Sequence, residues 1–245
     1  RGRAEAFAGA LARRGLDTRV TEVAGYSTLG WFDDPLPSGL LALDDVSLAT
    51  VVLHEIVHST LFVPAAVDFN ESLATALSER MAVEFFEAHP DRSPDRAGQA
   101  RRRLELSSAR SRFYDDLARR LRSLFERAAS DGLSLERILE ERRAVYLEAA
   151  TRFEAARLAR PGCAGCDGCD GCAFLEGRPD NASFLAVYRY HRRLTDLQAW
   201  LDGFEGKEGW AGLALGRLDG CLKKGLGPYE ALASGPSCSD ANSVF

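Results

Sequence analysis

Long apolar stretches, lysine and histidine are all scarce in this chain of 245 residues. No apolar run approaches the ~20 residues that a membrane-spanning helix needs, and no signal-peptide pattern is present. Lysine occurs only at Lys207, Lys223 and Lys224, and the formal net charge is -5. Because an acidic chain is not typical of a nucleic-acid-binding protein, we expect no nucleic-acid partner. We expect membrane association only through a segment preceding Arg1.

Histidine occurs only 4 times, yet two of these residues lie in one short motif. His54-Glu55-Ile56-Val57-His58 has the form H-E-x-x-H, and on an α-helix its two histidines share one face and can hold one metal ion. Glu55 points roughly 100° further round the helix, where it can take a proton from metal-activated water. The flanking residues are apolar nearly all round, which predicts a buried helix. The alternative is a core helix whose histidines are only hydrogen-bonded.

A third metal ligand is expected from the next predicted helix, which opens at Asp68 and runs to about His89. A catalytic zinc site uses three protein ligands and one open position, and two His plus one Glu is an established set. We therefore expect one Zn²⁺ per chain, held by His54, His58 and Glu71. The alternative is that Asp68-x-x-Glu71 is a capping box, which explains the same spacing without a metal.

Before the motif, the sequence predicts a short helix and a small sheet. Residues 1–15 have apolar residues at helical spacing, and Gly15 is expected to end this helix. Alternation over residues 17–24 and an aromatic stretch over 26–32 predict two strands. A strand preceding a metal-binding helix can hold an extended peptide, although a plain hairpin fits equally well. The residues expected to contact a peptide substrate are Tyr26, Ser27, Gly30, Trp31 and Asp33.

After the motif, the sequence predicts further helices. Asp44-Asp45 is expected to cap the motif helix. A helical hairpin is predicted over about residues 93–160, and another helix over 181–201. We expect one domain over residues 1–203, followed by a Gly-rich segment over 204–245 that is weakly ordered at its end.

A Cys-rich loop over residues 162–172 carries four cysteines at a strict spacing of three: Cys163, Cys166, Cys169 and Cys172. One interpretation is a second metal or iron–sulfur site, although the run matches the ferredoxin pattern only in part. We favour a low-complexity insertion whose thiols are reduced, or paired among themselves and with Cys221 and Cys238.

The pair Tyr190-His191 lies near the end of the last predicted long helix. A tyrosine hydroxyl or a histidine ring can donate a hydrogen bond to the oxyanion that forms when water attacks a peptide carbonyl. The alternative is an ordinary amphipathic helix with His191 on its face.

Four blocks of the sequence resemble a bacterial family of predicted aminopeptidases. They are residues 26–35, 54–58, 69–75 and 181–191, they occur in the family's order, and the resemblance covers most of residues 1–200. More broadly, the chain is similar to zinc peptidases whose third ligand is Glu, such as thermolysin and the alanyl aminopeptidases. In the aminopeptidases Asn precedes that Glu, as Asn70 precedes Glu71 here. Thermolysin-type sites carry Asp four residues after the Glu, and this chain departs from them with Thr75.

This resemblance implies a zincin-like metallopeptidase, so we predict an α+β, mostly helical fold with a small N-terminal sheet, an active-site helix pair and a long helical hairpin. The expected function is zinc-dependent peptide-bond hydrolysis as an aminopeptidase, with Glu55, Tyr190 and His191 as catalytic residues. The alternatives are a zinc endopeptidase and a non-catalytic, zinc-containing, envelope-associated binding or scaffold protein. The sequence itself does not determine the compartment, and the resemblance favours an envelope-associated or periplasmic bacterial protein.

Overall fold

The computed structural model describes residues 2–20, 39–90, 95–156, 158, 180–234 and 238. A short 3₁₀ helix spans Leu40–Ala42. The α-helices of the described residues are α1 (Gly2–Ala12), α2 (Asp45–Thr60), α3 (Val67–Ala88), α4 (Arg96–Asp131), α5 (Leu135–Ala155), α6 (Asn181–Tyr188), α7 (Leu194–Asp202), α8 (Trp210–Lys223) and α9 (Pro228–Ala233). No helix within these ranges is both long enough and apolar enough to cross a membrane.

The predicted α+β fold with an N-terminal sheet is wrong, because the described residues form helices and contain no strand. Residues 17–20, expected to begin the first strand, have no regular secondary structure. Side-chain contacts hold this segment instead: the Asp17 carboxylate accepts a hydrogen bond from Arg142 Nη1 at 2.5 Å and one from the backbone N–H of Asn181 at 3.2 Å. The second predicted strand, residues 26–32, lies outside the described residues.

The chain divides into two compact units. The first comprises residues 1–22 and 109–191, and the second comprises residues 23–108 and 192–245. The long helix α4 contributes residues to both units. The metal-ligand candidates of α2 and α3 all belong to the second unit.

In the first unit, α5 runs antiparallel to the C-terminal part of α4. Arg120 of α4 pairs with Glu148 of α5 at 2.5 Å, and Asp116, one turn earlier on α4, pairs with Arg152, one turn later on α5, at 2.9 Å. Residues later in α4 therefore pair with residues earlier in α5, as in an antiparallel helical hairpin. Tyr114 and Phe153 are fully buried between these helices, with their rings stacked and their centroids 6.1 Å apart.

In the second unit, α3 is anchored in the hydrophobic core by one face. Phe69, Leu73 and Leu77 follow at four-residue spacing and are each at most 2% exposed. Residues at this spacing lie on one side of a helix, so α3 presents a continuous apolar stripe. Their buried neighbours from the rest of the unit are Val57, Leu194, Leu197, Leu201, Phe204, Ala214, Leu215, Leu218, Cys221 and Ala231. This packing gives the first turn of α3 a fixed position beside the end of α2.

The helix predicted over residues 181–201 is two helices, α6 and α7. Arg193, the residue before α7, adopts a left-handed backbone conformation with φ 52°, which an α-helix cannot contain. Its side chain stabilises the break: Arg193 Nε donates to the Asp196 carboxylate at 2.7 Å, and the guanidinium lies 4.4 Å from the centroid of the Tyr229 ring. A non-glycine residue with positive φ is uncommon, so composition does not predict this turn.

The C-terminal segment is more regular than its glycine content predicts. Residues 210–233 contain α8 and α9, while most of the chain after Ser234, where we expected weak order, lies outside the described residues. Cys221, fully buried in α8, forms a disulfide with Cys238. The interpretation in which these two cysteines pair with the Cys-rich loop is therefore wrong. The loop itself, residues 162–172, lies outside the described residues.

Cys238→Ser is expected to lower the free energy of unfolding by about 3 kcal/mol, because it opens a loop that restricts the unfolded chain. The two bonded cysteines are separated by 17 residues in the sequence. Denaturant unfolding with and without dithiothreitol measures the effect. Reduction should bring the wild-type protein to the stability of the variant and should leave the variant unchanged. Equal wild-type stability under both conditions would show that the bond contributes nothing.

Candidate metal centre

The helix of the H-E-x-x-H motif, α2, begins at a side-chain cap. Asp44 Oδ1 accepts hydrogen bonds from the backbone N–H groups of Val46 and Ser47, both at 3.1 Å, as the sequence predicts for this N-cap. Arg103 donates to Asp44 Oδ2 at 2.8 Å and to Ser47 Oγ at 2.7 Å. Burial raises the pKa of the Asp44 carboxyl. The hydrogen bonds and charge of Arg103 and the hydrogen bonds of Ser47 together lower this pKa by a larger amount, so it falls well below its usual range.

Asp44→Ala is expected to lower the free energy of unfolding by about 1 kcal/mol, because the cap is lost, whereas Asp44→Asn keeps the cap and removes only the charge. Folding lowers the pKa of Asp44, so its ionised form stabilises the protein fully above about pH 5 and progressively less below about pH 4. The D44N variant should therefore be less stable than wild type near neutrality and should approach wild type in acid. Thermal unfolding across this pH range measures the difference, and a difference that is independent of pH contradicts the ion-pair contribution.

His54 and His58 bring their rings together on one face of α2. Their Nε2 atoms are 3.0 Å apart, and the two ring planes are inclined by 84° with centroids 4.6 Å apart. The side chains are 15% and 10% exposed, so both rings are largely removed from water. Because the spacing of four residues places them one turn apart, the helix itself produces this convergence. Two imidazole nitrogens directed at one point can hold one metal ion.

The second turn of α3 adds Glu71 to the two histidines. Glu71 Oε2 lies 3.2 Å from His54 Nε2 and 3.5 Å from His58 Nε2. Burial raises the pKa of the Glu71 carboxyl. Hydrogen bonds and charge from the two histidine rings together lower this pKa by a larger amount, so it falls to about 2. The carboxylate is therefore ionised at neutral pH, which is the form that binds a metal cation.

Glu71 takes no part in capping α3. The N-cap of α3 is Ala66, and no side chain makes a cap hydrogen bond there. Asp68, the cap residue of the alternative interpretation, lies inside the helix, and its carboxylate accepts a hydrogen bond from Arg192 Nη1 at 2.6 Å. The capping-box interpretation is therefore wrong, and Glu71 faces the histidines of α2.

The spacing of these three ligand atoms fits tetrahedral zinc. With bonds of about 2.0–2.1 Å and tetrahedral angles, two atoms bound to one zinc ion are roughly 3.3 Å apart. The three separations of 3.0, 3.2 and 3.5 Å lie around this value. His54, His58 and Glu71 are also the one group of metal-ligating side chains at suitable distances within the described residues. Three ligands leave a fourth position open, which is typical of a catalytic zinc site.

Comparison with known proteins identifies the family of the chain. The sequence model of a family described as "Putative aminopeptidase" matches residues 1–211. The chain belongs to this family. The match confirms the resemblance at the level of the family and of a hydrolase with a peptidase-type function. No curated protein and no solved structure matches the chain.

In this member of the aminopeptidase family, Glu55 follows His54 on α2 and is half-buried. Its carboxylate makes no hydrogen bond or ion pair with another described residue. A carboxylate that is not engaged in this way is able to accept a proton, as a general base must. The catalytic role of Glu55 stays a prediction.

The surroundings of the ligands differ from those of thermolysin-type sites. Thr75 lies at the position of the supporting Asp in those sites. Its hydroxyl donates a hydrogen bond to the backbone carbonyl of Glu71 at 2.8 Å, which stays within α3. Metal-binding histidines usually donate their second ring N–H to a carboxylate, a carbonyl or water. Nδ1 of His58 is buried and has no hydrogen-bond partner within the described residues. Within the described residues, no outer carboxylate therefore orients the His58 ring.

Tyr190 and His191 belong to the first unit, whereas the three ligand candidates belong to the second. Tyr190 follows α6 and is 40% exposed. The His191 ring lies against Tyr114 with centroids 5.1 Å apart, and the His191 carbonyl accepts a hydrogen bond from Ser111 Oγ at 2.8 Å. The catalytic role of this pair stays a prediction. The expected substrate-binding residues lie outside the described residues: Tyr26, Ser27, Gly30, Trp31 and Asp33.

Sequence reasoning missed the contact between Asn70 and Val63 beside the site. The Asn70 amide joins the first turn of α3 to the segment that follows α2. The available signal was Asn70 itself, because a polar side chain next to the apolar Phe69 needs a hydrogen-bond partner if it is buried. The identity of that partner depends on the path of the turn, which the sequence does not specify.

Proposed function

We propose that this chain is a zinc-dependent aminopeptidase whose ion is held by His54, His58 and Glu71. The observation that carries the proposal is the convergence of one atom from each of these side chains, at separations of at most 3.5 Å. Two His and one Glu with an open fourth position is a ligand set of catalytic zinc in peptidases. Membership of the aminopeptidase family supports hydrolysis of a peptide bond.

Zinc at this site supplies a Lewis acid that polarises the scissile carbonyl and lowers the pKa of water. Glu55 takes the proton of the attacking water and passes it to the leaving amine. Glu55 lies roughly 100° round α2 from His54, so it is not on the helix face that carries the two histidines.

The proposed substrate is a peptide with a free amino terminus. We propose that Tyr26, Ser27, Gly30 and Trp31 contact the peptide substrate. One of Asp33, Asp34 and Glu79 supplies a carboxylate for the substrate's free amine. These contacts restrict cleavage to the first peptide bond, which separates an aminopeptidase from an endopeptidase.

A substrate screen tests the proposal directly. Zinc-loaded protein is mixed with amino-acid amides, with short peptides and with the same peptides acetylated at the amino terminus, and the products are identified by mass spectrometry. We expect release of single amino-terminal residues from the free peptides and no cleavage of the acetylated ones. Cleavage of acetylated peptides makes the protein an endopeptidase. Absence of all turnover with zinc bound makes it a non-catalytic zinc-containing binding or scaffold protein.

We also propose that the protein works outside the cytoplasm. The Cys221–Cys238 disulfide supports this location, because such bonds form and persist in oxidising compartments. Cell fractionation combined with rapid thiol alkylation tests the proposal. Recovery of the protein from the cytoplasmic fraction with both thiols alkylated would contradict it.

A further inference from the structure

The metal-ligand candidates come from two successive helices, so their geometry depends on the segment between them. His58 lies in the last turn of α2, and Glu71 lies in the first turns of α3. Residues 61–66 reverse the chain between these positions. A change of about 1 Å in this segment would separate the carboxylate of Glu71 from the histidine nitrogens, and sites tolerate only about 0.5 Å of such displacement.

Asn70 closes this segment with its side-chain amide. Asn70 Oδ1 accepts a hydrogen bond from the backbone N–H of Val63 at 3.0 Å, and Asn70 Nδ2 donates to the carbonyl of Val63 at 2.8 Å. Asn70 is 2% exposed, so both bonds form out of water. A buried pair of this kind fixes both distance and orientation, because each side satisfies the other's donor and acceptor.

The turn that Asn70 holds contains one residue in a strained backbone conformation. Val63 is followed by Pro64, the N–H of Ala66 donates to the Val63 carbonyl at 3.3 Å, and Ala65 has φ 61°. A proline at the second position and a positive φ at the third are features of a type II turn, where glycine is preferred at the third position. Alanine in this conformation costs on the order of 1 kcal/mol, and the hydrogen bonds from Asn70 to Val63 help to offset this cost.

We infer that Asn70 is a positioning residue that holds Glu71 at coordination distance from His54 and His58. Both side-chain hydrogen bonds of Asn70 go to Val63 and neither goes to a ligand atom, so Asn70 acts through Val63 and through its peptide bond to Glu71. This inference rests on the metal site of the proposed function, but it does not depend on which peptide bond is cleaved or on whether one is cleaved at all.

Zinc titration of purified Asn70→Ala protein tests the inference without using activity. We expect the dissociation constant for zinc to rise about 10- to 100-fold, the range found when outer partners of metal ligands are removed. Cobalt provides a spectroscopic reading of the same change. Loss of Glu71 from the coordination sphere should weaken and shift the visible bands of four-coordinate Co²⁺ in the variant.

Two control variants on α3 separate positioning from general loss of stability. Leu77→Ala opens a cavity in the core and should destabilise the protein by about 2–5 kcal/mol. Ser78→Ala removes a buried hydroxyl whose hydrogen bond, 3.2 Å to the carbonyl of Thr75, stays within one helix. Measured well below the unfolding temperatures, both variants should bind zinc with wild-type affinity.

Asn70→Asp provides the sharpest variant, because it keeps an acceptor for the Val63 N–H but replaces the donor to the Val63 carbonyl. A new carboxylate near a cation would by itself strengthen zinc binding. Weaker zinc binding by N70D therefore identifies the lost amide donor as the cause. Stronger binding would overturn the inference, since charge and not position would then govern affinity.

The outcomes also separate the inference from the proposed function. If folded N70A binds zinc as tightly as wild type, the inference is wrong and the proposed function is unaffected. If N70A loses affinity while wild type cleaves no peptide, the inference holds and the proposed function fails. If wild type binds no zinc through His54, His58 and Glu71, both are wrong.

Discussion

Glu55→Gln is expected to lower kcat by about 10²- to 10⁴-fold, the contribution of a positioned general base, while the zinc content stays unchanged. Glutamine has nearly the same shape as glutamate but cannot accept the proton of the attacking water. Substrate binding does not require that proton transfer, so KM should change much less than kcat. Steady-state kinetics on an amino-acid amide, with zinc measured in the same preparation, gives all three quantities.

Glu87→Gln is the matched control for this variant. Glu87 lies near the end of α3, four turns beyond Glu71, and forms an ion pair with Arg101. The same loss of one carboxylate there should leave kcat, KM and zinc content at their wild-type values. Full activity of E55Q with zinc bound would show that another group is the base. Loss of zinc from E55Q would instead make Glu55 a ligand.

Glu71→Ala is expected to weaken zinc binding by more than the about 10- to 100-fold that loss of an outer partner costs. This variant removes one of three protein ligands and leaves two histidines, which do not complete a catalytic site. Activity should fall in parallel with zinc occupancy and should recover in part at high zinc concentration. Zinc titration by calorimetry, together with circular dichroism to confirm the fold, measures the effect.

Asp68→Asn controls for the loss of a negative charge at the start of α3. Asp68 lies one turn before Glu71, and its carboxylate pairs with Arg192. Both side chains of this pair are more than 40% exposed, so the pair contributes little to stability. The D68N variant should keep its zinc. Unchanged zinc occupancy in E71A would mean that the ion is held by a different third ligand.

Local spacing allowed the histidine pair to be predicted, whereas the third ligand needed the tertiary structure. His54 and His58 converge because four residues make about one helical turn, and no distant contact is required. Glu71 is different, because its spacing from Asp68 fits a capping box and its spacing from His58 fits a third metal ligand. The path of residues 61–66 and the Asn70–Val63 contact decide between them.

The errors in the predicted fold also arise from contacts between distant residues. The alternation that predicted a strand at residues 17–24 is short, and Asp17 is held by Arg142, which lies on α5. The break between α6 and α7 depends on a left-handed Arg193, which no residue preference indicates. The partner of Cys221 could not be predicted either, because cysteine connectivity does not follow from sequence spacing.

Zinc content and amide hydrolysis, measured on one preparation of wild type and of the His54→Ala/His58→Ala variant, test the central claim most directly. We predict about one zinc ion per wild-type chain, loss of both zinc and turnover on treatment with a chelator, and recovery of both when zinc is added back. The double variant should contain no zinc and should hydrolyse nothing. Wild-type turnover that persists without zinc, or one zinc ion retained by the double variant, would contradict the account.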